Sequence, residues 1–173
     1  MTITVTAGHS VRDPGACAHG RREADIAVDA REIIKYYLVQ WGHKVVSDGL
    51  DRTQNLELPE AIKLQKGSDI SVEVHCNAGA ETANGVEVLA KSKDAALAKA
   101  IARAVHDTTG IKLRRNEGWY YDANDHHRFG FVRAGGLIIE LFFITNKAEL
   151  AIWDAKKWVI CKAIAKAISD HLK

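Results

Sequence analysis

Short apolar runs alternate along this chain with longer stretches of three- and four-residue periodicity. Ile3 to Gly8, ITVTAG, is β-rich and closes on a glycine turn. Ile26, Ala30, Ile33, Ile34, Tyr37, Leu38 and Trp41 then recur at spacings that line one side of a helix, with Gly42 as its stop. HKVVSDG predicts a second strand. Pro59 opens a helix carrying Ala61 and Leu64 as far as Gly67. DISVEVHCNAG and GVEVLA predict two further strands. Ser92 is placed to cap a helix whose stripe is Leu97, Ala100, Ile101, Ala104 and Val105, ending at Gly110. Residues 111–130 are polar, aromatic and weakly periodic, and predict a long loop. FGFVR and GLIIELFF predict the last strands. Asn146 and Glu149 have the spacing of a reciprocal helix cap, and a final helix runs to about His171 with Cys161, Ile164, Ala165, Ile168 and Leu172 on one side. Strands alternating with helices define an α/β domain with a mostly parallel sheet. No repeat, low-complexity segment or linker interrupts it, so one domain is expected over residues 1–173.

Composition adds little and excludes more. Hydrophobic residues make up 47% and charged residues 27%, an ordinary globular balance. Lys plus Arg, 24, nearly equals Asp plus Glu, 22, and no long basic run appears, which argues against a nucleic-acid partner. The pairs Arg21-Arg22 and Arg114-Arg115 read as solvated surface. Cys17, Cys76 and Cys161 are odd in number, far apart and form no CxxC, so they read as buried small residues rather than a disulfide framework. MTITVTAGHS lacks a basic segment, an apolar segment and a cleavage site, so synthesis in the cytoplasm without a signal peptide is expected. No window approaches about eighteen consecutive apolar residues, so no stable membrane insertion is expected.

One residue breaks the apolar pattern. Glu140 stands inside LIIELFF with no neighbouring Lys or Arg, where an unpaired carboxylate costs several kcal/mol or takes up a proton. A partner from elsewhere in the chain is therefore expected. In open α/β sheets the site lies beyond the carboxyl ends of the strands. His9 follows the first strand, His75 ends SVEVH, and Glu140 lies toward the end of the last core strand. Glu23, in GRREAD, begins the first long helix beside the same edge. Taken singly, a strand-end histidine or a first-turn acid has an ordinary structural role. Together, two imidazoles and a carboxylate make a common catalytic zinc set, leaving Glu140 to handle protons.

The phrases that carry these residues are specific. TAGHS...GA (Thr6 to Ala16), READ (Arg22 to Asp25), SVEVHCNA (Ser71 to Ala78), GVEVL (Gly85 to Leu89) and LIIELFFITN (Leu137 to Asn146) occur in that order. The chain resembles, over nearly its whole length, the zinc-dependent N-acetylmuramoyl-L-alanine amidases, which include bacterial cell-separation enzymes and phage endolysins. The resemblance implies a mixed sheet of about six strands with helices on both faces. It implies one zinc ion held by His9, Glu23 and His75, and Glu140 as the catalytic acid/base. The implied reaction is hydrolysis, by zinc-activated water, of the amide between the lactyl group of N-acetylmuramic acid and L-alanine of the stem peptide. Peptidoglycan is then the partner. An endolysin acting on the cell wall, released by a separate pore-former and carrying no wall-binding domain, is the expected biology. Ser10 stands where many members have glycine, and Gly135-Gly136 where many have proline; both bear on substrate preference rather than on chemistry. The 78–84 loop is too short for an inhibitory helix.

Lesser candidates remain open at the level of sequence. Asn77 shares the His75 side of its strand and serves either substrate or the local turn. Glu73 shares it too, as an orienter of a ligand or as an idle residue. Cys76 points to the opposite face and reads as core. His126-His127 are not needed for the zinc set. Trp119, Tyr120 and Tyr121 either meet substrate or anchor their loop, and Lys156, Lys157, Lys162 and Lys166 read as the solvated face of a docked helix. Two rivals stand beside the amidase reading. One is another zinc peptidase or carboxypeptidase, although such sites keep His and Glu ligands close and thirteen residues separate His9 from Glu23 here. The other is an inactive wall-binding relative, although no ligand is missing.

Overall fold

A computed structural model describes residues 1–49, 55–121 and 129–173. In chain order the elements are β1 (Thr2–Ala7), β2 (Cys17–Ala18), β3 (Arg21–Arg22), α1 (Glu23–Gln40), β4 (Lys44–Ser47), α2 (Leu58–Leu64), β5 (Ile70–Asn77), β6 (Glu87–Leu89), α3 (Ala95–Thr109), β7 (Trp119–Tyr120), α4 (Gly130–Ala134), β8 (Leu137–Phe143) and α5 (Lys147–His171). Six strands form one sheet in the order β4-β1-β5-β8-β6-β7, and β2 and β3 make a small antiparallel pair. Strands β4, β1, β5 and β8 run parallel, while β6 runs antiparallel to β8 and carries β7 parallel to itself. This is the mixed, mostly parallel α/β sheet with helices on both faces expected from the sequence.

The two faces are unequal. On one, Val72, Val74, Val88, Ile139 and Leu141 pack with Ile34 and Leu38 of α1, Leu97 and Ile101 of α3, and Trp153, Ile164 and Ile168 of α5. Most of the apolar burial lies here, at about 25 cal/mol per Å² removed from water. Among the described residues the other face has only the short helices α2 and α4, through Ala61, Phe131 and Val132, which cover Leu89 and Ile138. Alternation along each strand sends Glu73, His75 and Asn77 of β5, Glu140 of β8 and Glu87 of β6 to this thinly covered face. This placement accounts in part for a carboxylate inside LIIELFF. The strand of Glu140 is buried on both sides, but its cover on the second side stops near Ile138.

Several local expectations are corrected. FGFVR is not a strand: Gly130–Ala134 is a helical turn whose successive residues Phe131 and Val132 are both buried, a pattern that strand alternation does not produce. Gly135, at φ 114°, ends it, and its N–H donates to the carbonyls of Phe131 and Val132. Ser92 begins a 3₁₀ turn instead of capping α3, which starts at Ala95 without a side-chain cap. The buried stripe of α3 accordingly rotates onto Leu97, Ala98, Ile101, Ala102 and Val105, leaving Ala100 exposed. Asn146 does cap α5, accepting from the N–H groups of Ala148 and Glu149. Glu149, however, does not reach back to it. Its carboxylate accepts from Gly85 N at 2.8 Å and Phe143 N at 2.8 Å, tying the start of β6 to the end of β8. Cys17 is exposed, unlike the buried Cys76 and Cys161. The 111–130 stretch is not all loop, since Trp119 and Tyr120 pair with Val88 and Leu89.

Candidate functional site

A cleft of about 690 Å³ opens on the second face, and all of His9, Glu23, His75, Asn77 and Glu140 line it. His9 leaves the end of β1 with φ 66°, a left-handed conformation that a non-glycine residue adopts only when its surroundings impose it. Those surroundings are built. Gly8 N donates to Val74 O at 2.8 Å, and Asn55 Nδ2 donates to Gly8 O at 2.9 Å. Asp48, paired inside the fold with Arg31 at 3.1 Å, accepts from Ala7 N at 3.1 Å. Ser10 Oγ accepts from the N–H groups of Arg12 and Asp13 and donates to Glu57, shaping the turn that follows.

Two glycines make room. A Cβ on Gly8 would overlap the His75 ring, and one on Gly15 would lie 2.7 Å from Glu23 Oε2. Glu23, the first residue of α1, therefore reaches between the two imidazoles. His9 Nε2 lies 2.9 Å from its Oε2 and His75 Nδ1 lies 3.0 Å from its Oε1. The N–H groups of Ala16 and Cys76 donate to the same carboxylate at 3.0 Å each. Burial alone would raise the pKa of Glu23, but the hydrogen bonds from His75 and His9 prevail and hold it well below the usual carboxylate range. Burial lowers both histidines, and again the carboxylates win. Glu23 and Asp13 raise His9, and Glu23 and Glu73 raise His75 well above its ordinary value.

The donor set fits a zinc ion on grounds independent of sequence likeness. One ligand atom each from His9, Glu23 and His75 lie within 4.8 Å of one another. The remaining nitrogen of each ring is held by a further carboxylate, His9 Nδ1 by Asp13 at 2.9 Å and His75 Nε2 by Glu73 at 3.1 Å. Carboxylate–imidazole pairs of this kind fix the tautomer and aim the free nitrogen at a metal. Glu140 differs from all of these. It pairs in register with His75 on one side and Glu87 on the other, and its Oε2 is buried with no hydrogen-bond partner among the described residues. Burial pushes its pKa up to about 7, against the pull of His75.

Reading from sequence missed Asp13, Glu87 and both arginines. Arg114 and Arg115 are more than solvated surface: Arg114 is partly buried, Arg115 is half exposed, and both line the cleft and pair with buried Glu87, at 3.2 Å and 3.3 Å. Asn77 Nδ2 donates to the same Glu87 at 2.7 Å, which gives it an internal partner in the cleft wall. Arg21 and Arg22 do sit at the surface, paired with Asp154 and Asp25. Trp119 anchors its strand through Nε1 to Ala90 O, whereas Tyr120 lines the cleft. Lys156 and Lys157 bind Thr108 O and Asp29, as befits a docked α5. His126 and His127 lie outside the described residues.

Two histidines and a glutamate thus converge beside a further glutamate on an α/β sheet, a donor set that could hold a metal ion. The chain belongs to the N-acetylmuramoyl-L-alanine amidase family, whose model matches residues 3–170. It is similar to a candidate N-acetylmuramoyl-L-alanine amidase from Neisseria meningitidis, with 42% identity, a TM-score of 0.91, and coverage of 99% of this chain and 95% of that one. It is 25% identical over 86% of its length to the Bacillus subtilis protein YqiI, spanning 72% of that protein. It is 28% identical to Probable autolysin PH of Staphylococcus aureus, where the match takes in 96% of this chain and only 38% of the relative's length. Zinc dependence is characteristic of the family. Among the described residues no helix is long and apolar enough to cross a membrane.

Proposed function

We propose that the chain hydrolyses the amide joining the lactyl carbonyl of N-acetylmuramic acid to L-alanine of the stem peptide, with zinc held by His9, Glu23 and His75. The convergence of those three ligand atoms within 4.8 Å, with Asp13 and Glu73 behind the rings, carries this reading. Zinc bound there supplies Lewis-acid polarisation and lowers the pKa of water from about 15.7 toward about 7. Glu140 Oε2 takes a proton from the attacking water and returns one to the departing amine, so that acid and amine leave balanced. Its unpartnered oxygen and its pKa near 7 suit both transfers. Glu23, by contrast, stays ionised as a ligand. No nucleophilic Ser or Cys enters, and Cys76, buried with its thiol pushed well up, has no part beyond lending its N–H to Glu23.

Metal analysis and peptidoglycan digestion of wild type and Glu140→Ala test this together. Wild type is expected to hold one zinc per chain and to release stem peptide with a free L-alanine amine. The variant is expected to keep the zinc and lose the release. Retained turnover in Glu140→Ala removes its assigned role, and release of a carboxyl-terminal amino acid instead favours a carboxypeptidase. Binding to insoluble wall without cleavage favours a wall-binding relative.

The finer biology we infer is lytic, of the endolysin type, with a separate pore-former for export. Residues 78–84 carry no helix, in keeping with an unregulated short form. Expression in a Gram-negative host should leave cells intact until a membrane-permeabilising protein is co-expressed, and then lyse them. Lysis that is equally fast without it contradicts that role.

A further inference from the structure

The cleft has a second charged end, away from His9. Glu87 opens β6 in register beside Glu140, and its carboxylate is 6% exposed. It is shared three ways. Asn77 Nδ2 donates at 2.7 Å, Arg114 Nε lies 3.2 Å away, and Arg115 Nε lies 3.3 Å away. One guanidinium and the amide would already compensate this carboxylate. The second guanidinium then exceeds what Glu87 itself neutralises.

Both arginines are also oriented by aromatic faces. The Arg114 guanidinium carbon lies 4.8 Å from the Phe143 ring centroid, and that of Arg115 lies 4.7 Å from the Tyr120 centroid. Arg115 takes φ 49°, a costly backbone state, within a turn closed by Gly118 N to Arg114 O at 2.7 Å. Its side chain is 51% exposed while it lines the cleft. A planar fork that is pinned by Glu87, backed by Tyr120 and open on its outer side is the arrangement that receives a carboxylate.

Position selects which carboxylate. Across the sheet edge the order is His75 on β5, Glu140 on β8, Glu87 on β6, and then the two arginines. One inter-strand step and one ion-pair length separate Glu140 from the guanidiniums, roughly 8 Å. An extended peptide advances about 3.3–3.6 Å per residue, so this distance reaches the second residue beyond the scissile amide. Resting on the amidase reading, we propose that Arg115, assisted by Arg114, binds a free carboxylate on the second residue of the stem peptide. The chain then selects acidic stem peptides over those in which that group is amidated.

The test compares N-acetylmuramoyl-L-alanyl-γ-D-glutamyl-L-lysine, in which the γ-carboxyl is taken up by the third residue, with the same compound amidated at the glutamyl α-carboxylate, for wild type and Arg115→Gln. Wild type is expected to show a KM about tenfold lower for the free acid at similar kcat, the size of one charge-assisted hydrogen bond. Arg115→Gln is expected to raise KM about tenfold for the free acid alone, with the thermal midpoint unchanged because the side chain is half exposed. Calorimetric binding of the two compounds to the Glu140→Gln background should show the same gap without turnover. Equal KM values in wild type, or an Arg115→Gln loss shared by both compounds, overturn the inference while leaving the amidase reading intact. Failure of wild type to cleave either compound overturns that reading, and this inference with it.

Discussion

Glu23 and Glu140 face the same cleft, the first buried and the second with one carboxylate oxygen buried, and are otherwise opposites. Glu23 accepts from two imidazoles and two backbone N–H groups, and those bonds hold it ionised despite burial. Glu140 has one oxygen with no partner among the described residues, and burial raises its pKa to about 7. Burial does not decide what a buried carboxylate does. The donors around it decide, and they divide two glutamates into one held ionised and one that gains and loses a proton near neutrality.

Removing each glutamate should separate the two roles, and Glu23→Ala should have the larger effect. It deletes a ligand and leaves the Ala16 and Cys76 N–H groups without their acceptor. Zinc content should fall from one per chain to near none, turnover should vanish, and chelated protein should lose about 3 kcal/mol of stability by chemical unfolding. Full zinc occupancy in this variant would contradict the ligand set.

Glu140→Gln should do the reverse to stability. A carboxyl whose folded pKa lies above its unfolded value binds more protons when folded, so its contribution falls as pH rises from about 4.5 through about 7. At pH 8, zinc-free Glu140→Gln should therefore be more stable than zinc-free wild type by about 1–3 kcal/mol, and the gap should close near pH 4. Turnover should still fall by about 10² to 10⁴, the scale of a general acid–base group. A variant as unstable as Glu23→Ala would mean that Glu140 is partnered after all.

How legible this division was depends on the range of the contacts. The strands β1, β5 and β8, the glycine stops at Gly42 and Gly110, and the cap at Asn146 are local signals, and the alternation in SVEVHCN put His75 and Asn77 on one face. That His9, Glu23, His75 and Glu140 line one cleft was legible because His9 and Glu23 flank element ends and His75 and Glu140 lie in the carboxyl-terminal halves of neighbouring parallel strands. The rest needed tertiary information. FGFVR alternates over five residues, too few to separate a strand from one helical turn, and only the packing of Phe131 and Val132 decides it. Arg114 and Arg115 look like surface charge until β6 is set antiparallel to β8, which brings Glu87 beside Glu140. Glu149 sits at capping distance in sequence, but Gly85, sixty-four residues away, supplies one of its donors.

The carboxylates behind the two rings allow the smallest and sharpest test. Glu73 is 5% exposed, on the same strand as His75, and also accepts from Thr6 Oγ at 3.3 Å. Asp13 hangs from a surface turn with its side chain 62% exposed, and bonds a ring whose own backbone is already held left-handed. If the carboxylates orient the imidazoles, loss of either should weaken zinc binding by about 10- to 100-fold, with coordination otherwise intact. Solvent can replace Asp13 at His9 Nδ1, whereas nothing so mobile reaches the buried Glu73 position. Competition titrations with a chelator should therefore place Asp13→Ala near tenfold and Glu73→Ala near a hundredfold. Equal losses would show that exposure does not set the strength of these supports. No loss in either would leave the rings aimed by Gly8 and Gly15 alone, through the space those two residues leave empty.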